Sequence, residues 1–593
     1  MGDGLRDAPE QRNRSTVVLV ASGAAGYCVW RYGVPDWQVA VESAQAIAGI
    51  VQYPHENPFF IYHWKLWTLV HQVCAVFLWF GISERTVSEV LSGIVGMVSF
   101  QALAIVVYAF SRNVVLALAA LGVIVVSRSA ESMVLYPIYM LGTSNTYGAL
   151  GLSVGVLAAG LIGCERWRPG LFLLGLAPAI HPSLGVWFAL IVGACAAWDV
   201  EGVIKRARPA WRYFAAGALI SAVSLTVHLI VAPAVPRIAS ADAARYLTAF
   251  TTLWDGHRQP VPLFRPGVAL NAATLCLSAL WLNSFRRDLP ISSLFLLRFL
   301  VVSVSVAAGC VVASWMPPAS LPEWLLILMP GRVLNIASML FVPLLFGLVG
   351  AYSDRRWGRV TTLGLALGLF VGAPSLMGVW PLSNDFDPRL TRLAILIAAT
   401  LALIVCRAAE GISPSSTRDR VTSAQRRFVM NAILAIVTLT IVGMSAWPLP
   451  SLHAAAMHDR LDDAFLGTVA RGHGLLLTGG DLHLIQLRTR RPVLLDGGAL
   501  DALPYALEAA PAMDRILRDV YGVDLFNPPA QALKVGMVPA AFNKVVWEQY
   551  PLERWQQIRT AYHVTQVLTP AEWQLKLPIV AQNMQFRLHE IPR

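Results

Sequence analysis

Apolar runs long enough to cross a bilayer recur through the first 446 residues, and short arginine-bearing stretches separate them. No other feature constrains the chain as much. A run of about 20 apolar residues spans hydrocarbon as a helix, because every backbone N–H and C=O must be bonded inside the segment. Composition agrees: of 593 residues, 56% are hydrophobic and only 14% charged, with a mean hydropathy of +0.57, against about 25% charged in soluble domains. A soluble enzyme, a disordered chain and an ordinary nucleic-acid binder are excluded. The lipid bilayer is the first partner, and nucleic acid is not one.

Thirteen segments suit spanning: 16–32, 87–110, 114–127, 147–163, 171–181, 183–198, 212–233, 268–284, 291–314, 333–351, 360–378, 390–406 and 428–446. The net charge of +11 lies entirely before Trp447, since 14 basic and 14 acidic residues follow. With a cytoplasmic N-terminus, 20 of the 32 basic residues before Trp447 fall in short cytoplasmic stretches, Arg166 and Arg168 among them. Positive-inside orientation favours this arrangement. A fourteenth apolar stretch, 60–82, carries His63, Lys65 and His71. Counted as a span it would reverse every later loop, so it reads as an in-plane or re-entrant part of the first outer loop. No cleavable signal precedes the first helix.

The outer loops then cover 33–86, the residues after Ser127, 234–266 and 315–332. In the first, Trp37, Val41, Ala44, Ala48 and Val51 form one helical stripe, which predicts an amphipathic helix on the membrane surface. After residue 446 the composition becomes that of a soluble domain, 447–593, expected outside. Strands are predicted at 475–480, 483–487, 492–497, 564–569 and 585–591, with a helix at 506–522. The fold class is thus a polytopic α-helical membrane protein with a C-terminal soluble α/β domain. The seven cysteines all precede residue 447 and show no disulfide framework or zinc spacing.

Charged groups near a membrane interior are costly and mark function. The outer half gathers carboxylates (Asp36, Glu42, Glu56, Glu131, Asp242, Asp255) and cations (Arg128, Arg245, Arg258, Arg298, Arg332), with His55, His181 and His257. Such a set suits an anionic head group beside a general base. Asp36 can take a proton from an acceptor hydroxyl, or it can cap the surface helix. Arg332, after Pro330 and Gly331, suits phosphate through its bidentate fork, or it snorkels. His181 sits at an outer turn, as a phosphate donor or a packed residue. Asp255, His257 and Arg258 share one loop that either lines the pocket or is a solvated turn. A divalent metal has no supporting spacing and would need carboxylates and histidines from different loops.

This pattern resembles the GT-C membrane glycosyltransferases: aminoarabinose transferases, protein O-mannosyltransferases and oligosaccharyltransferase catalytic subunits. The first loop opens Pro35-Asp36-Trp37 and continues to Glu56-Asn57-Pro58, and the second holds Ser127-Arg128 with Glu131. These stand where that family carries its acidic motifs, and His181 stands where it often has a basic residue. Asp36 lacks the family's adjacent acid, and Glu131 replaces an Asp. The resemblance implies sugar transfer from a polyprenyl-phosphate donor to a periplasmic glycan, lipid or protein acceptor. It implies Asp36 as base, and Arg332, His181 and Arg258 as holders of the leaving phosphate. It places the chain in the bacterial inner membrane with the C-terminal domain in the periplasm. The alternative is a non-enzymatic membrane component of a polysaccharide assembly or export system.

Overall fold

The computed structural model describes residues 8–351 and 457–593, apart from 34, 128–135, 137, 142–145, 236, 256–259, 266–267, 270–271, 274, 277–278, 280–282, 284–290, 318–319, 323, 326–327, 481, 483, 496–499, 501–505, 534–535 and 537. The expected spans 360–378, 390–406 and 428–446, most of 268–284, and the candidates Arg128, Glu131, His257 and Arg258 lie outside the described residues.

Helix α1 (Ala8–Cys28) runs on through a wider turn at Val29–Gly33. The first outer loop then folds into α2 (Val39–Ile47), α3 (Pro58–Lys65) and α4 (Leu69–Trp79). The apolar stretch 60–82 is therefore two short helices broken at 66–68. Asn57 caps α3 through Phe59 N–H (2.8 Å), and Thr68 caps α4 through His71 N–H (3.2 Å).

The bundle follows as α5 (Glu84–Ser111), α6 (Val114–Ser127), α7 (Thr146–Gly163), α8 (Trp167–Ile180), α9 (Pro182–Trp198), α10 (Val200–Ala207) and α11 (Trp211–Val231). Beyond it come α12 (Ser240–Ala249), α13 (Ile291–Ser314) and α14 (Leu334–Ala351). Among the described residues five helical stretches are long and apolar enough to cross a membrane: Glu84–Ser111, Thr146–Gly163, Ile204–Val231, Leu294–Ser314 and Pro330–Leu348. Their inner faces meet in one core around Phe110, Leu157, Phe299 and Leu340. Outward, Leu219, Leu229 and Ile230 of α11 and Val76, Phe77 and Trp79 of α4 are exposed. Exposed apolar surface on that scale belongs against lipid, and the chain is a polytopic membrane protein.

The C-terminal residues form α15 (Ala464–Arg471), α16 (Ile485–Thr489), α17 (Ala510–Ile516), α18 (Ala540–Gln549) and α19 (Leu552–Tyr562). With them is a sheet of β1 (Leu475–Thr478), β2 (Val564–Pro570), β3 (Ile579–Gln582) and β4 (Phe586–Glu590). Its order is β1-β2-β4-β3, the first pair parallel and the other two antiparallel. The expected strand at 483–487 is instead the single turn of α16, opened and closed by left-handed Leu484 and Arg490. Of the expected strand at 492–497, the described residues 492–495 form one bridge, between Val493 and Leu476.

This unit does not close its core alone. Trp547, Trp555, Tyr521 and Leu525 share one apolar cluster with Val51, Tyr53 and Ile61 of the first outer loop and Phe250 and Trp254 of the third. Trp254 donates its indole N–H to Leu525 O (2.9 Å) and accepts at its carbonyl from Gly536 N–H (2.7 Å). The C-terminal unit is thereby seated on the same end of the bundle as those two loops.

Two expectations are corrected here. The stripe helix α2 does not lie on a membrane surface. Its apolar side packs on α4 and α5, and its polar side is buried too, with Ser43 and Gln45 at 1% and 0% exposure. The cause is the C-terminal unit, whose Leu487 carbonyl and Gln486 side chain take up Gln45. Arg298 does not belong to the outer set. It pairs with Asp199 at 2.6 Å, just beyond the far end of α9 from His181.

Candidate functional site

Asp36 follows the end of the α1 segment, half-buried, and its backbone is clamped. Its N–H donates to Ser92 Oγ (3.2 Å) and its carbonyl accepts from Ser92 Oγ (3.0 Å) and Gln38 Nε2 (3.3 Å). Ser92 is a buried residue of α5, so the loop opening is fixed to a rigid element. Helix α2 is capped at Gln38 without any side-chain hydrogen bond. The N-cap residue of α2 is therefore Gln38 and not Asp36.

Gln38 extends the clamp. Its side-chain oxygen accepts from Thr146 Oγ1 (2.8 Å), the first residue of α7, and its Nε2 donates to Ser92 Oγ (2.9 Å). Five residues further along α7, about 7.5 Å of helix rise, Gly151 faces His181. A Cβ there would stand 2.6 Å from His181 Cβ, so only glycine lets the histidine approach. His181 ends α8 and starts α9, with its Nδ1 accepting from Leu184 N–H (3.3 Å). That bond puts the neutral ring's proton on Nε2, which can donate to an anion.

Arg332 lies close enough to His181 for their charges to interact. It is held in the short 3-10 turn Pro330–Val333, behind left-handed Met329. Ser183 Oγ and Trp187 Nε1 both donate to Leu328 O (2.8 Å each), which ties this turn to the start of α9. Asn335 in turn holds the second outer loop, bonding Tyr136 N–H (3.1 Å) and the carbonyls of Tyr136 (2.6 Å) and Ile138 (2.8 Å). The Thr146 end of α7 therefore connects the Asp36 segment on one side with His181 on the other.

The remaining candidates sit as follows. Glu42 is half-buried on α2, and its carbonyl accepts from Gln486 Nε2 (3.1 Å). Glu56 is exposed in the turn before α3. Asp255 is buried next to Trp254, at the seam with the C-terminal unit. Among the described residues no three of His, Cys, Asp and Glu form a group able to hold a metal ion.

Beneath the first loop lies a polar chain absent from the sequence candidates. Thr68 Oγ1 bonds His71 Nδ1 (2.9 Å), and His71 Nε2 bonds the Tyr147 hydroxyl. Ser43 Oγ bonds His63 Nδ1 (3.0 Å) alongside. Burial pushes His63 down to about 4, with Gln486 opposing. From Gln486 the polar contacts continue through Gln45 (3.4 Å) to Glu84 (3.2 Å), which Arg490 grips with two bonds. The only sequence signal was His63 and His71 inside an apolar stretch. Their partners at 43, 147 and 486 are set by folding.

Helix α4 packs beside α2 within the first loop. Helix α4 turns Cys74 and Leu78 toward Trp37 and Ala177 while Val76 and Phe77 face out. It is joined to α11 by Trp67 Nε1 to Ser224 Oγ (3.0 Å) and by Gln72 with Ser224 (2.7 and 2.9 Å).

No protein-family profile matches the sequence, and no curated protein matches it. Among solved structures, the chain is similar to ArnT from Cupriavidus metallidurans bound to undecaprenyl phosphate, at 13% identity over 97% of this chain and 98% of that one, with a TM-score of 0.42. It is similar also to the same protein in the apo state, at 14% identity with the same coverage and a TM-score of 0.43. ArnT is an aminoarabinose transferase of the GT-C class, one of the groups the sequence resembles.

Proposed function

We propose that this protein is an inverting glycosyltransferase of the GT-C type, moving a sugar from a polyprenyl-phosphate donor to a glycan, lipid or protein acceptor at the outer face of a bacterial inner membrane. The observation that carries the proposal is the arrangement around the Thr146 end of α7. The Asp36 segment, its backbone clamped to Ser92 and Gln38, stands on one side, and His181, which only Gly151 admits, stands on the other with Arg332 in electrostatic range.

In this reading an acceptor hydroxyl oxygen attacks the anomeric carbon in line. Its proton goes to Asp36. The bond from the anomeric carbon to the phosphate oxygen breaks with inversion, and the lipid phosphate leaves with the bonding pair. Arg332 and the His181 Nε2–H receive the charge developing on that phosphate. The donor's chain lies along the exposed apolar faces of α4 and α11. Glu42 and Asp255 face the acceptor side, beside the C-terminal unit. Arg128, Glu131, His257, Arg258 and Glu56 belong to the same proposal as substrate-binding residues. Thirteen spans, a cytoplasmic N-terminus and a periplasmic unit 447–593 belong to the same proposal.

The test is a gene deletion followed by mass spectrometry of surface glycans and membrane glycolipids. The proposal requires one product to lose a single sugar and to regain it with the wild-type gene. Unchanged glycans and glycolipids would favour the non-enzymatic reading.

A further inference from the structure

The other end of the bundle holds a second feature, separate from the proposed transfer site. A cavity of about 410 Å³ opens between α1, the α7–α8 turn and α10, within the usual range for ligand pockets, roughly 300–1,000 Å³. Arg12, Arg166, Arg168 and Arg206 line it, with Glu165 as the acid among its lining residues. None of the four arginines makes an ion pair among the described residues. Arg166 has a long contact to Ser15 Oγ (3.5 Å), and Arg168 stacks over Tyr213 at 5.7 Å.

Arg12, Arg168 and Arg206 are exposed and Arg166 is half-buried, so water screens part of their mutual repulsion and an anion seated among them would relieve the rest. Burial, and then the neighbouring Arg12, push Arg166 below the usual guanidinium range. One further donor lacks a partner. The indole Nε1–H of Trp167, a lining residue, is buried without a hydrogen-bond partner among the described residues. The 14-residue helix α8 begins at the cavity with no side-chain cap at Arg166, and a helix start favours an anion.

We infer that this cavity is a binding site for a phosphate-bearing anion, held by Arg12, Arg166, Arg168 and Arg206 at the start of α8. Two sources share that chemistry: the head group of an anionic phospholipid, and a soluble phosphate. Basic pockets between membrane helices take lipid head groups on the cytoplasmic side, the side to which the arginine distribution assigns this end.

The experiment uses the full-length protein in nanodiscs of phosphatidylcholine. One arm adds phosphatidylglycerol to the discs; the other adds inorganic pyrophosphate to the buffer. Binding is read as the rise in unfolding temperature with ligand concentration. The site requires one arm to stabilise the wild type and Arg166→Gln with Arg206→Gln to weaken that binding by about tenfold or more, as loss of charge-assisted hydrogen bonds dictates. A response confined to the lipid arm names a phospholipid, and one confined to pyrophosphate names a soluble ligand. Glu165→Gln keeps every arginine and removes the opposing acid, so it must tighten binding by at least about twofold. No stabilisation in either arm, or equal stabilisation of wild type and both variants, would overturn the inference.

Discussion

The hydroxyl of Thr146 donates to the side-chain oxygen of Gln38 at 2.8 Å, across 108 residues of chain. Through this bond the start of α7 fixes the segment that carries Asp36. Thr146→Val keeps the shape and removes the donor, leaving a buried amide oxygen short of a partner at a cost of about 1–3 kcal/mol. We expect a lower unfolding temperature and sugar transfer reduced by more than that destabilisation explains, with Thr146→Ser restoring both. Thermal unfolding and transfer assays on the three proteins check this.

Gly151→Ala tests the approach of His181. The new Cβ would stand 2.6 Å from His181 Cβ and 3.0 Å from Leu184 Cδ1. Overpacking of this kind costs about 1–3 kcal/mol. The account predicts a folded protein whose affinity for the donor lipid falls, because His181 is moved off the phosphate. Unchanged affinity with a lower unfolding temperature would make the contact purely structural.

Glu84 holds the C-terminal unit to the membrane part. It is 2% exposed and takes Arg490 in two bonds, Arg460 at 3.6 Å and Gln45 at 3.2 Å. Arg490 is 41% exposed, so water compensates the arginine left behind and the loss is about 1–3 kcal/mol. Glu84→Gln is expected to loosen the docked unit, visible as faster protease cleavage between 447 and 463 with the helical bundle intact by circular dichroism.

A pH effect follows from His63. Its folded-state value, about 4 against an ordinary 6.5, means that the neutral ring is the folded form. The contribution to stability is complete above about 6.5 and is lost as pH falls toward 4. The gap of 2.5 units at about 1.4 kcal/mol per unit gives a loss of up to about 3 kcal/mol. His63→Gln should flatten the decline between pH 6.5 and 4 by that amount, measured as unfolding temperature against pH.

Much of the fold was legible because membrane helices announce themselves by continuous apolar runs. The segments 87–110, 147–163 and 291–314 became Glu84–Ser111, Thr146–Gly163 and Ile291–Ser314. Strands β1 and β2 were legible because they are largely buried apolar runs, and β4 because apolar Phe586 and Leu588 alternate with polar Arg587 and His589. Strand β3 was missed because Ile579 and Val580 are exposed at a sheet edge and show no alternation. The 483–487 segment misled because an apolar–polar–apolar run serves strand and single-turn helix alike. Docking of Gln486 beside Glu42 and Tyr53 decides for the helix. The position of Asp36 was legible, but its distinction from a helix cap was not, because that depends on where α2 begins. The buried partners of His63 and His71 include Ser43, 20 residues away, and Tyr147, 76 residues away, on separate helices, and no periodicity links them.

The central claim rests on Asp36, and Asp36→Asn tests it most directly. Asn preserves size and hydrogen bonding but cannot accept the proton. With purified full-length protein and the polyprenyl-phosphate sugar that the deletion experiment names, the account predicts transfer reduced by about 10²–10⁴-fold, with donor affinity kept within a few-fold. Transfer at the wild-type rate by a folded Asp36→Asn protein would contradict it.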